Sequence, residues 1–461
     1  MLEVNNPYNG ELIRQVPVNT AADVEQALAR AHALFEDRSQ WLPAHQRVDI
    51  LERAAHIMSN RIEELTRIAS EEGGKPYVDS KVEVLRAING LKLAIEHIPH
   101  IKGEQIPMGH TVSSANRLAF TQREPIGVVT SISAFNHPLN LTVHQTVPAI
   151  AVGCPVIIKP AQVTPLSCLN FVGILKEAGL PDGWCQALVV GRQEAETLVT
   201  DERVNFFSFI GSGAVGWMLR SKLSPGTRCA LEHGGVAPVI VDQSVPVDSV
   251  VDSLLKGGFY HAGQVCVSVQ RVFVHESACT ELAEKLANKA RQLIVGDPLD
   301  PKTEVGPLIL TREVDRVSQW VEQAREGGAQ VLCGGEKISD TCYAPTVLLN
   351  PDDHATVSQK EVFGPVVCVY SYSDKADAIA RANSLPYAFQ ASVYTNDLND
   401  ALDTSNKLNA TAVMVNDHTA FRVDWMPFGG RDASGLGMGG IQYSMHEMTR
   451  DKMLVIKSAV L

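Results

Sequence analysis

The sequence predicts an α/β protein with two doubly wound parallel sheets, preceded by a helical stretch over residues 20–100. Two observations carry that prediction. From residue 117 onward, β-branched apolar runs alternate with amphipathic runs, which is the signature of βαβ units. A Gly211-Ser-Gly213-Ala-Val-Gly216 turn sits where one such strand gives way to a helix, a second mark of a βα junction.

The elements follow in order. TAADVEQALARAHALF places a Thr cap at Thr20 before apolar residues at helical spacing. RVDILERAAHIMSNRIEELTRIASEEGG continues the pattern to Gly73-Gly74, and SKVEVLRAINGLKLAIEHI forms another helix. RLAFTQREPIGVVTSISAF alternates like a strand. PVIIK, CQALVV, VNFFSFI and APVIVD then read as strands. PLSCLNFVGILKEAG, ETLVTDE and VGWMLRSKL read as the helices between them. A second run begins near residue 233: DSVVDSLLKGGFYHAG is helical, VSVQRVFVH a strand and CTELAEKLANKARQLI a helix. DRVSQWVEQAREGGAQVLCGG and VVCVYSYSDKADAIARANS repeat the scheme. The tail, DKMLVIKSAVL, is a short strand with no core of its own.

Composition narrows the function. A net charge of −12 argues against a nucleic-acid surface and against a membrane surface that relies on basic residues. The start, MLEVNNPYNG, lacks a basic segment followed by an apolar one, and the longest apolar run is broken by Pro148, Gly153 and Pro155. A cytoplasmic protein is expected. The nine cysteines are scattered and never form CxxC, so neither a metal cluster nor a disulfide framework is expected.

Cys266 stands out by its setting, FYHAGQVCVSVQRV. The ordinary reading of any one of these cysteines is a small buried hydrophobe; the alternative is a nucleophile. Glu232, in CALEHGGVAP, also has two readings. By the rule for glycine-rich turns, an acid about twenty residues on binds a ribose. At the seam between two α/β units, the same acid serves as a general base in a cleft.

Seven stretches, taken in order, resemble the aldehyde dehydrogenases over essentially the whole chain. They are REPIGVV (123–129), SAFNHPLN (133–140), VIIKPAQVTP (156–165), FIGSGAVG (209–216), LEHGG (231–235), GQVC (263–266) and EVFGPV (361–366). The resemblance implies an NAD(P)-dependent oxidation of an aldehyde to an acid. It implies Cys266 as nucleophile, Glu232 as general base in place of the ribose role, and Asn136 as oxyanion donor. Ser133, Phe135, Lys159, Gln162, Gly211, Ser212, Val215, Glu361 and Phe363 would hold NAD or NADP, and no metal is implied. Branches that pass the acyl group to coenzyme A tend to lack the glutamate, so Glu232 favours release of a free acid. LNLTVH and VCVSVQ look closest to the branch acting on lactaldehyde and glyceraldehyde 3-phosphate.

The resemblance divides the chain into a cofactor-binding domain (1–104 and 123–232), a catalytic domain (233–442) and an oligomerisation flap (105–122 and 443–461). A homodimer or homotetramer is then expected. Where a glutamate is usual the chain has Gln162, which either removes a repulsion toward a 2′-phosphate and so admits NADP beside NAD, or is a neutral swap that leaves NAD preferred. His233 either tunes Glu232 or packs. Arg422, in NDHTAFRVDWMPFGG, either grips an anionic tail of the substrate or pairs with Asp424 or Asp417. His261, five residues before Cys266, is a second candidate for substrate contact. Two other readings remain at this stage: a binding or structural protein on the same fold, and an alcohol-oxidising dehydrogenase with no cysteine nucleophile.

Overall fold

The computed structural model describes residues 1–461. Thr20 caps the first helix, Ala21–Glu36, in a reciprocal capping box with Asp23. The long amphipathic stretch that follows is two helices, Ala44–Asn60 and Ile62–Gly73, broken at Arg61 where neither Gly nor Pro signals a stop. Tyr77–His97 completes the helical layer.

A six-stranded sheet comes next. Val128–Ile132 lies near its middle, with Val156–Lys159 and then Cys185–Ala187 on one side. Val204–Ile210, Arg228–Glu232 and the two-residue strand Gly435–Leu436 lie on the other. All neighbours are parallel except Gly435–Leu436, which returns from far along the chain to pair antiparallel with Leu231 and Glu232. Strand order therefore reverses beside Val128–Ile132, and the crevice outside the carboxyl ends of that strand and Val204–Ile210 is a topological switch point.

The helix Pro138–Val152 had no counterpart in the periodicity, because all fifteen of its residues are buried. A helix apolar on every side shows no 3.6-residue stripe. It begins at Pro138, a residue suited to the first helical position, directly after Asn136-His137.

The second sheet has seven strands, in the order Gln330–Cys333, Thr346–Leu349, Val366–Tyr372, Arg271–His275, Pro238–Val241, Gln390–Tyr394 and Ala412–Val415. Only Gln330–Cys333 runs antiparallel to its neighbour. Two expectations shift here. The helix Asp248–Phe259 stops before His261, where His261 and Ala262 turn to positive φ (50° and 54°). The strand expected over 267–275 is confined to Arg271–His275. The intervening loop carries Cys266.

The strand Thr449–Lys457 pairs antiparallel with Arg117–Pro125 along its full length, and Gln105–Ile106 adds a third strand. Met453, Leu454, Val455 and Ile456 stay 40–58% exposed. No helix is long and apolar enough to cross a membrane.

Candidate active site

Both sheets contribute to one cavity of about 800 Å³. Ser133 and Phe135 leave the end of Val128–Ile132, and Lys159 closes Val156–Lys159, so all three reach the switch-point crevice. Gly211, Ser212 and Val215 line the same cavity at the start of the helix Gly213–Arg220. Ser212 takes an extended conformation there and makes no side-chain cap, which leaves the first N–H groups of that helix open to an anion. Gly216 is required by close packing: a Cβ would lie 2.1 Å from the His233 ring. His233 Nδ1 lies 2.9 Å from the Gly211 carbonyl, and its ring packs against Phe209 and Trp217, so His233 is a packing residue of the turn.

Three residues lining this half of the cavity carry a polar group without a partner in the protein. These groups are the Lys159 ammonium, whose pKa burial lowers with no carboxylate beside it, the Ser133 hydroxyl and Glu361 Oε1. Phe135 and Phe363 meet edge to face with ring centroids 5.7 Å apart. Phe363 is held at φ 46°, and Gln270 pins its loop by accepting from Val362 N at 2.9 Å and donating to Lys360 O at 2.8 Å. Gln162 stands at the exposed rim and donates to Val190 O at 3.2 Å. Open helix N–H groups, an unpaired cation, unpaired acceptors and aromatic walls fit a dinucleotide.

The other half of the cavity carries Cys266, Glu232 and Asn136. Cys266 is the only one of the nine cysteines on the lining, and all nine are free thiols. Burial, with the charges of Glu232 and Glu361, pushes its thiol well above the ordinary range, while Arg422 opposes that rise. Burial likewise pushes the Glu232 carboxyl up to about 7 against the pull of Arg422, and Glu361 up to about 8. The Asn136 amide donates to the Gln264 carbonyl at 2.9 Å, which uses one of its two hydrogens and leaves the other for a ligand. Behind Glu232 lies a chamber of about 30 Å³, bounded also by His144, Gln145, Ser208 and Arg422, with room for a water molecule.

Arg422 reaches the cavity and forms no ion pair with either aspartate. Its guanidinium lies 3.5 Å above the Phe428 ring, Nη2 is 3.4 Å from His144 Nδ1, and Nε has no partner. Asp424 belongs instead to Arg86, at 2.7 and 3.1 Å, and to His144 Nε2 at 2.9 Å. Burial alone would raise Asp424, yet those hydrogen bonds hold it far below the usual carboxylate range. Asp417 lies 3.9 Å from His418.

His261 does not line the cavity. It is fully buried, with its ring edge-on to His137 at 6.1 Å, because the left-handed turn at 261–262 carries the side chain away from Cys266. Arg86 escaped the sequence reading altogether. It sits on an ordinary amphipathic helix, and only its approach to Asp424, 338 residues away, gives it a place at the site.

Glycine-rich turn, switch-point crevice and a cysteine beside a half-buried carboxylate define a dinucleotide-dependent oxidoreductase. A profile of the aldehyde dehydrogenase family matches residues 1–454. A 3-sulfolactaldehyde dehydrogenase of Priestia aryabhattai is 37% identical over 456 residues, covering 99% of this chain and 94% of that protein. Aldehyde dehydrogenase 21 from Physcomitrella patens, solved with its reaction product succinate, superposes with a TM-score of 0.96 at 35% identity, over 99% and 95% of the two chains. Glyceraldehyde-3-phosphate dehydrogenase GapN from Methanocaldococcus jannaschii, solved with NADP, gives 0.94 at 36% identity over 99% of each chain. The chain belongs to the aldehyde dehydrogenase family. It is an NAD(P)-dependent enzyme that oxidises aldehydes, which displaces the readings as a binding protein and as an alcohol dehydrogenase.

The charges around Cys266 generate a test. Above pH about 7, Glu232 is ionised and holds the thiol up. Glu232→Gln removes that charge, so alkylation of Cys266 by iodoacetamide will reach half its limiting rate at lower pH than in the wild type. Below pH about 7 the wild-type carboxyl is itself neutral and the two proteins will differ little. A variant profile that stays superimposed on the wild type across pH 7–10 would show that the carboxylate does not face the thiol.

Proposed function

We propose that this enzyme oxidises a short aldehyde with an anionic tail to the free carboxylic acid, with Cys266 as nucleophile. The observation that carries the reading is Arg422, a cavity arginine without an ion pair. A guanidinium in that state is a ready partner for a carboxylate, sulfonate or phosphate group. Asp424, the acid nearest to it in sequence, is already occupied by Arg86 and His144. Two of the similar proteins are named for, or were solved with, molecules of this kind, 3-sulfolactaldehyde and succinate, while others are named for the neutral lactaldehyde.

The chemistry follows from the side chains. The Cys266 sulfur attacks the carbonyl carbon as its thiolate, its proton having passed to solvent, so that Glu232 is still a carboxylate for the later hydrolysis. The second Asn136 amide hydrogen, with the Cys266 backbone N–H, receives the developing oxyanion. When bound, the oxidised nicotinamide supplies the hydride acceptor. A thioester to Cys266 then remains, and Glu232 takes a proton from the water that attacks it. Lys159, Ser133, Gly211, Ser212, Val215, Glu361, Phe135 and Phe363 would hold NAD or NADP, with Gln162 at the adenosine ribose.

An aldehyde panel tests this. Anionic short aldehydes will be preferred over neutral ones of equal length, and Cys266→Ala will turn over none of them. Arg422→Gln will lower kcat/KM for the anionic substrate about 10- to 100-fold, as loss of a charge-assisted hydrogen bond implies. Neutral substrates will lose less, because for them only the pull of Arg422 on Cys266 and Glu232 is removed; equal losses for both kinds would refute the anion grip.

Gln162 sets a cofactor prediction. The wild type will use both NADP and NAD, and Gln162→Glu will cut the NADP/NAD ratio of kcat/KM by about tenfold or more. An unchanged ratio would remove Gln162 from the adenosine end.

The strand Thr449–Lys457 presents an apolar face with nothing over it in the single chain. We infer a homodimer or homotetramer assembled through it. Sedimentation equilibrium will give two or four chains, and Leu454→Asp with Ile456→Asp will lower that number. A wild-type monomer would end the inference.

A further inference from the structure

Asn136 is held by groups that take no direct part in the chemistry. It lies two residues before the helix Pro138–Val152, whose N-cap residue His137 offers no side-chain hydrogen bond to the first turn. Those N–H groups are buried, and a buried donor left without a partner is destabilising. The acceptor comes from another helix. Glu83, on Tyr77–His97, takes the N–H of Leu139 at 2.9 Å and that of Asn140 at 3.0 Å through one carboxylate oxygen. Its other oxygen is bonded to the Lys75 ammonium, and the two side chains are 0% and 1% exposed. The same ammonium donates to the Asn136 backbone carbonyl at 3.3 Å. Lys75 is itself anchored, because its carbonyl accepts from the hydroxyls of Ser70 at 2.7 Å and Ser80 at 3.1 Å.

We propose that the buried Lys75–Glu83 pair is a positioning device for the oxyanion donor: Glu83 caps the helix after Asn136, and Lys75 fixes the Asn136 backbone. The pair rests on the role given to Asn136 above. Its logic is geometric. A buried ion pair is weak support for stability, since apolar residues of similar volume often replace one at no cost. What an apolar pair does not replace is the directed contact with Asn136 O and with the two N–H groups. From the far side the Asn136 amide is tied to Gln264, on the Cys266 loop. The donor is thereby gripped at its backbone by one helix layer and at its side chain by the nucleophile loop. A donor displaced by about 1 Å costs on the order of 10²-fold in rate.

The test is a double-mutant cycle on the full-length enzyme. Lys75→Met with Glu83→Leu removes both contacts without stranding a charge. It will lower kcat about 10- to 100-fold, leaving KM for cofactor and aldehyde within a few fold. Lys75→Met with Glu83→Gln keeps an acceptor for Leu139 and Asn140, and it will recover part of that loss. In an Asn136→Ala background, itself slowed about 10²–10³-fold, neither pair of changes will lower kcat further. Losses that multiply with that of Asn136→Ala would overturn the proposal, as would full kcat in the Met/Leu variant. Should the Met/Leu variant fail to fold, the Met/Gln variant decides by the same cycle, additivity refuting the proposal and absence of further loss supporting it. Asn136→Ala with unchanged kcat would instead refute the oxyanion role, so the two failures are distinguishable.

Discussion

A helix buried on every side has no water to satisfy its first N–H groups, and the active site is arranged around that constraint. Pro138–Val152 is such a helix. Its first turn must find an acceptor inside the protein, and Glu83 provides it from the helical layer near the start of the chain. The buried Glu83 carboxylate is paired with a cation, the Lys75 ammonium. The arrangement leaves Asn136 at a defined point between the helical layer and the Cys266 loop. A second carboxylate, Glu72, answers the same need one helix further on, where it accepts from Leu166 N and Ser167 N at 2.6 and 2.8 Å.

The cavity gathers acids and bases close enough to perturb one another's protonation. Glu232 and Glu361 face the same thiol, and burial keeps both carboxyls above their ordinary range, so neither is fully charged near neutrality. Arg422 supplies the balancing charge because Asp424 is already saturated by Arg86 and His144. One arginine is thus structural and the other is free to meet a ligand. The distinction lies in which carboxylate each reaches, and the residue types alone do not reveal it.

Much of the fold was legible in the chain itself. Strands buried on both faces read as short apolar runs, amphipathic helices read as 3.6-residue periodicities, and Thr20 announced its helix. Pro138–Val152 was not legible, since burial on all sides erases the periodicity. The break at Arg61 was not legible either, because the two helices share amphipathic character and no Gly or Pro separates them. His261 lies close to Cys266 in sequence but does not line the cavity. Proximity in sequence to Cys266 suggested proximity to the substrate, and a left-handed turn at 261–262 sends the ring into the interior.

By itself the sequence determined the class of protein, and it singled out the candidate groups: a glycine-rich turn after a strand, a cysteine in GQVC, a glutamate in LEHGG and an asparagine in FNHP. Those are local patterns, and local patterns survive in one dimension. The tertiary structure alone decided which charges remain free. Asp424 takes Arg86 from 338 residues away and so leaves Arg422 open, while Glu83 reaches Leu139 across 56 residues to set the helix after Asn136. Such pairings are chosen by competition among buried groups for a limited number of partners, and that competition exists only once the chain has folded.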